Sequence, residues 1–224
     1  MSSSIVSSSI GTKVFIALTG ICLSIFLVGH LAGNLLVFVG PAAFNGYAHK
    51  LISNPLVYLV EAGLVAIVLI HAWKAVRNYL DNRDARPIGY AAKGNAGGPS
   101  RKNAASMTMI VTGLVTAAFV VWHLKTFKFG PSYPIEEGGA TIRDLYRLEV
   151  EVFRNPIYVA LYVACMALIG FHLWHGVASA AESLGFDHPR RTPAIVAFGK
   201  VMAIVIAGGF LIIPIFFFIV GGRS

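Results

Sequence analysis

Five long apolar runs separated by short polar stretches dominate the chain, at about 14–39, 56–80, 104–126, 156–182 and 194–220. A helix needs about 20 apolar residues, at a rise of ~1.5 Å each, to cross the hydrocarbon layer of a bilayer, and each run is long enough. The intervening stretches are too short for a second folded unit. The pattern therefore predicts one all-α integral membrane domain of five spans over 1–224. A serine-rich stretch with Lys13 precedes the first run, which is too long for a signal-peptide core and lacks a small-residue cleavage site. It is expected to remain as the first span.

Composition agrees. Hydrophobic residues make up 56% and charged residues 12% of the chain, against about a quarter charged in soluble domains. Cys22 and Cys165 fall mid-span, where small core residues are expected rather than a disulfide framework or a zinc site. The net charge of +8 is carried by span ends and loops, which excludes a nucleic-acid partner. Lys13, Lys74, Arg77, Arg83, Arg86, Lys93, Arg101, Lys102, Arg190, Arg191 and Lys200 lie on one face. The smaller set of Lys50, Lys125, Lys128, Arg143, Arg147, Arg154 and Arg223 lies on the other. The positive-inside rule then puts the N-terminus in the cytoplasm. The basic rim suits anionic membrane lipid or a soluble partner subunit. Gly94–Pro99 reads as a flexible connector.

The chain also repeats itself. Thr19-Gly20, Phe26 and His30-Leu31 of the first span recur 93 residues later as Thr112-Gly113, Phe119 and His123-Leu124. Asn54-Pro55 and His71-Ala72-Trp73 of the second recur 101 residues later as Asn155-Pro156 and His172-Leu173-Trp174. Spans one and two thus form a hairpin, spans three and four its parallel copy, and the fifth stands apart. Each Asn-Pro marks a helix start, where the N–H that proline lacks is not needed. Within GFHLWHG (170–176) the register makes His172 the partner of His71, while His175 stands where the first repeat has Lys74.

Depth along the helices sorts four histidines into two layers. His30 lies ~25 Å beyond Lys13 and His123 ~31 Å beyond Lys102, both near the outer side. His71 lies ~9 Å before Arg77 and His172 ~15 Å before Glu182, both near the inner side. Two stacked histidine pairs in a four-helix bundle suit two bis-histidine b haems. Gly29 and Gly33 beside His30, and Gly176 one turn from His172, could make room for a porphyrin. Without Cys-x-x-Cys-His the haems would be held non-covalently. A zinc or copper site is disfavoured, since each layer offers only two histidines. Hydrogen-bonded helix contacts and a haem-free proton-coupled transporter are the other readings of intramembrane histidines.

At this point the residues resemble a known family, over nearly the whole chain. The telling parts are Gly11-x-Lys13-x-x-x-Ala17-Leu18-Thr19-Gly20, His30-Leu31-x-x-Asn34, Phe44-Asn45-x-Tyr47-Ala48-His49, Trp122-His123 and Phe171-His172-x-x-x-Gly176. In order and spacing they are similar to the five-helix, di-haem cytochrome b membrane anchor of succinate:quinone oxidoreductases, the succinate dehydrogenase and fumarate reductase family. The resemblance implies a distal haem on His30 and His123 and a proximal haem on His71 and His172. It implies a prokaryotic inner-membrane protein that carries electrons between an iron–sulfur subunit and quinone, with menaquinone favoured. Covalent FAD and the iron–sulfur clusters would belong to a flavoprotein and an iron–sulfur subunit on the cytoplasmic face. Alternatives are a quinone-linked cytochrome b of another dehydrogenase or hydrogenase.

Other residues carry weaker expectations. Ser9 and Lys13, at the inner end of the first span, could hydrogen-bond a quinone carbonyl, as a serine and a basic residue do in related anchors; otherwise they are a cap and a snorkelling lysine. Tyr47 and His49 are candidates for an outer haem propionate or quinone, or are interfacial loop residues. His175 is a candidate for the proximal haem edge or the inner quinone. Trp73 and Trp174 either pack on a porphyrin or belong to the interfacial belt. Glu61 is an intramembrane carboxylate close enough to the interface to be hydrated, and His188 is a solvated loop or docking residue.

Overall fold

A computed structural model describes residues 8–85 and 108–221. In it the chain forms α1 (Ser9–Asn34), continued by a 3-10 turn at Leu35–Phe38, then α2 (Pro41–Ile52) and α3 (Leu56–Asp84). Next come α4 (Met109–His123), continued by a π turn at Leu124–Lys128, and the strands β1 (Pro134–Glu137) and β2 (Ala140–Arg143). The chain ends with α5 (Leu145–Phe153), α6 (Pro156–Ser183) and α7 (Thr192–Gly221). Among the described residues, five helical segments are long and apolar enough to span a membrane: α1 with its 3-10 turn, α3, α4 with its π turn, α6 and α7. The protein is an all-α multi-pass membrane protein. We call the end bearing Ser8 and the 184–191 turn the inner end, and the end bearing α2, the strands and α5 the outer end.

The span boundaries differ from the apolar runs where polar chemistry takes over. α1 begins at Ser9, earlier than the apolar run, because Ser8 accepts a hydrogen bond from the Gly11 N–H (3.0 Å) and caps the helix. Ser8, not Ser9, is therefore the cap. α3 runs on to Asp84, where an Arg77–Asp81 pair one turn apart (3.1 Å) supports a surface turn beyond the apolar part. The Asn-Pro starts are alike. Asn54 Oδ1 accepts from the Leu56 N–H (3.0 Å), and Asn155 Oδ1 accepts from the Ile157 N–H (2.9 Å). The expected start of the third span at 104, and the connector Gly94–Pro99, lie outside the described residues.

The four repeat-related spans close into a ring. α1 packs against α3 and α6, and α4 packs against the same two helices, so α1 faces α4 and α3 faces α6 across the ring. α7 packs along α6 and contributes Ala203, Ile206, Ile213 and Phe217 to the apolar core. No residue of α3 is buried. Cys22 is exposed and so is not a core residue, whereas Cys165 is half-buried and packs against the core cluster around Met166, Ile169 and Ile206.

The outer end has a cover that the apolar pattern does not predict. Gly40, with φ of 131°, turns the chain into α2, and Pro41 occupies its first turn. β1 and β2 form an antiparallel hairpin through Gly138 and Gly139, both at positive φ. Arg143 ties the hairpin to the segment before β1 by donating to the carbonyls of Gly130 (3.2 Å) and Pro131 (2.7 Å). Asn45, 1% exposed, joins the two outer helices. Its Nδ2 donates to Asp144 Oδ1 (2.8 Å), and its Oδ1 accepts from the Tyr146 N–H (2.9 Å). Replacing Asn45 with alanine removes the side-chain partner of the half-buried Asp144 carboxylate and of the Tyr146 N–H. The expected loss is about 1–3 kcal/mol, read as a lower thermal unfolding temperature in detergent.

Candidate functional site

The ring brings the four histidines together as the two pairs that depth predicts. His30 of α1 and His123 of α4 meet across the ring at the outer level, with ring centroids 5.8 Å apart. His71 of α3 and His172 of α6 meet at the inner level, with centroids 6.5 Å apart. An axially bound iron would hold two imidazole centroids about 6 Å apart, from two bonds of about 2 Å and about 1 Å within each ring. The residues present therefore fit haem iron. Among the described residues, no group of three or more His, Cys, Asp or Glu is placed to hold a metal ion. A tetrahedral zinc site would need such a group.

Repeated residues orient each pair. Phe26 stacks on His30 from the preceding turn (5.3 Å), and its counterpart Phe119 stacks likewise on His123 (5.7 Å). Thr19 and Thr112 instead serve the neighbouring helices. Thr19 Oγ1 lies 2.9 Å from His71 Nδ1, and Thr112 Oγ1 lies 3.2 Å from His172 Nδ1. The adjacent glycines let the rings in. A Cβ on Gly20 would lie 3.2 Å from His71 Cε1, and one on Gly113 would lie 3.1 Å from His172 Cε1. The sequence displays Thr-Gly as part of the repeat, but only the packing shows which histidine each one supports.

The glycines expected to make room for a porphyrin have differing surroundings. A Cβ on Gly29 meets nothing within 4 Å. The Gly33 position is covered by Tyr47, whose ring would be 2.5 Å from an added Cβ. Gly176 has ordinary clearance, 3.6 Å to Met109 Cε. The close approaches occur at Gly20 and Gly113, because the inner histidines reach across to the α1 and α4 backbones.

The remaining candidates divide by end. Tyr47 comes down from α2 onto the turn of α1 that holds His30, whereas His49 is half-buried on α2 away from any described side-chain partner. Lys13, Asn78, Ser179 and Glu182 line an inner cavity of about 340 Å³. Asn78 and Ser179 each lie seven residues inward of a paired histidine, His71 and His172, on the same helix faces. Ser9 does not line this cavity. His175 sits one turn inward of His172, half-buried, within electrostatic reach of Glu182. Trp73 is 64% exposed, with the Lys74 ammonium 5.1 Å from its ring, so it lies outside the ring interior. Trp174 pairs instead with Lys200 (5.3 Å), and its buried Nε1 finds no hydrogen-bond partner among the described residues. Glu61 is ion-paired to Lys128 and partly exposed. His188 is a turn residue whose Nδ1 accepts from the Arg190 N–H (3.2 Å) ahead of α7.

One acidic group escapes the sequence pattern. Glu149 on α5 is 5% exposed, and its Oε2 has no partner among the described residues. Burial pushes its carboxyl up to about 8. Its neighbour Glu151 is the opposite case. Hydrogen bonds from Tyr133 and Arg147 hold its carboxyl below the usual range, and Arg147 also covers the Tyr133 ring (4.2 Å).

The model of a family described as "Succinate dehydrogenase/Fumarate reductase transmembrane subunit" matches residues 95–208, which contain His123 and His172. The chain is also 28% identical over 173 residues to the succinate dehydrogenase cytochrome b558 subunit of Bacillus subtilis (strain 168). That alignment covers 76% of this chain and 77% of the relative. No solved structure matches the chain significantly.

Proposed function

The chain belongs to the succinate dehydrogenase/fumarate reductase transmembrane subunit family, and from that premise we propose that it is a di-haem anchor carrying electrons between an iron–sulfur subunit and membrane quinone. His30 and His123 hold one b haem and His71 and His172 the other. The observation that carries this reading is the pairing of repeat-related histidines across the ring, at 5.8 and 6.5 Å. A haem held by each pair would supply one-electron exchange between ferric and ferrous iron.

The chain's own residues do the rest. The paired imidazoles fix the depth of each site, and Phe26, Phe119, Thr19 and Thr112 fix the ring orientations. Lys13, Asn78 and Ser179 offer donors at the inner edge for an acidic haem substituent or a quinone carbonyl. Tyr47 offers a hydroxyl beside the outer pair. The quinone is menaquinone, as the di-haem form of the family implies. The basic inner rim faces the cytoplasm, with the N-terminus, and docks the iron–sulfur subunit and its flavoprotein partner.

Purification from membranes tests the reading. The expected result is a red protein with a reduced b-type spectrum and two haems per chain. Flavoprotein and iron–sulfur subunits co-purify, and the complex has succinate:quinone activity. A colourless, fully folded preparation overturns it in favour of a haem-free transporter. A red complex with a different dehydrogenase keeps the haem assignment and overturns the choice of partner.

A further inference from the structure

We propose that the Thr19 and Thr112 hydroxyls are matched acceptors that hold the inner histidines in the metal-binding tautomer and lower the reduction potential of the inner haem. The inference rests on the di-haem reading above and adds what sets one site apart from the other.

Proton counting carries the argument. A threonine hydroxyl has one hydrogen to give. The Thr19 hydroxyl lies 2.6 Å from the Phe15 carbonyl and 3.1 Å from that of Ile16, acceptors that can only take a proton. The Thr112 hydroxyl lies 3.1 Å from both the Thr108 and Met109 carbonyls. With each hydroxyl hydrogen directed to the helix backbone, the oxygen is left to accept from the imidazole. His71 Nδ1 (2.9 Å) and His172 Nδ1 (3.2 Å) must then carry the N–H. The Ile16 and Met109 carbonyls, equivalent in the repeat, are second acceptors beside the same rings. Nε2 keeps its lone pair in both histidines, which is the form that binds iron.

The outer pair lacks this support. His30 Nδ1 faces the Asn34 side-chain NH2 group (3.3 Å), which donates to the His30 carbonyl (2.8 Å). His123 Nδ1 is buried with no hydrogen-bond partner among the described residues. Acceptors on Nδ1–H raise the basicity of the ligand nitrogen and favour ferric iron. That contribution exists at the inner level on both sides of the iron and at neither side of the outer one.

The test is a haem-resolved redox titration, with low-spin EPR, of the purified complex and four variants: Thr19→Val, Thr112→Val, Thr19→Ser and Thr112→Ser. The inner haem is identified as the one whose signal is lost in His172→Ala. Each valine variant is expected to raise its potential by on the order of tenfold in ferrous preference, about 59 mV for one electron. Each serine variant keeps the wild-type value, and the outer haem does not move. Loss of the inner haem in a valine variant but not in its serine counterpart also supports the assignment. Unchanged potentials in both valine variants, equal shifts in both haems, or serine variants behaving like valine overturn it. A wild-type complex without two haems overturns the underlying reading instead, before any variant is compared.

Discussion

On the di-haem reading, replacing His172 with alanine is expected to remove one haem of the two and leave the other in place, whereas replacing His175 is expected to retain both. His172 reaches across the ring to His71, with Thr112 on its Nδ1 and Gly113 against its edge, so alanine would delete one of the two proposed iron ligands. The outer pair is built on other helices, with Phe26 and Phe119 stacked on its rings, and keeps its geometry. His175 lies one turn further inward, near Glu182, and its substitution is expected to shift quinone kinetics or the inner haem potential only. Haem per chain and the low-spin EPR signals decide the matter. Loss of a haem from the His175 variant alone would reverse the assignment.

The second large effect concerns stability and pH. Glu149 is buried with its Oε2 unpartnered among the described residues, and its carboxyl is pushed from an ordinary value of 4.5 to about 8. The folded state therefore holds a proton that the unfolded chain gives up more easily. Below about pH 4.5 both states are protonated and the fold loses nothing. As pH rises from there to about 8, stability falls, because the unfolded chain releases the proton that the buried native carboxyl still holds. Glu149→Gln keeps the shape and removes the titration. Thermal unfolding in detergent between pH 5 and 8.5 should show a declining transition temperature for wild type and a flatter line for the variant. Equal slopes would mean that Glu149 is not the group responsible.

Much of the site was legible because a membrane restricts what a sequence can hide. Histidines are costly in hydrocarbon, so His30, His71, His123 and His172 stand out. Depth along a helix is a linear function of residue number, so the pairing can be read from spacing alone. The Asn-Pro register separates His172 from His175 for the same reason. The outer cover was harder to see. α2 and α5 are short, and their clamp depends on Asn45 meeting Asp144 and Tyr146 about a hundred residues away. Local signals for them exist, in Pro41 after Gly40 and in Asp144 capping α5, but none says that the two helices touch.

The sequence by itself determined the number of spans, the duplication, the two histidine layers and the identity of the odd histidine. These follow from periodicity, length and the cost of polar groups in lipid. The tertiary structure decided which helices face one another, and hence that Thr19 and Thr112 serve the histidines of neighbouring helices. It also showed that the inner histidines press against Gly20 and Gly113, and that Glu149 is buried with its Oε2 unpartnered among the described residues. Those outcomes depend on azimuth and on contacts between helices. Residue spacing fixes height along a helix but leaves the choice of neighbour to the packing of the bundle.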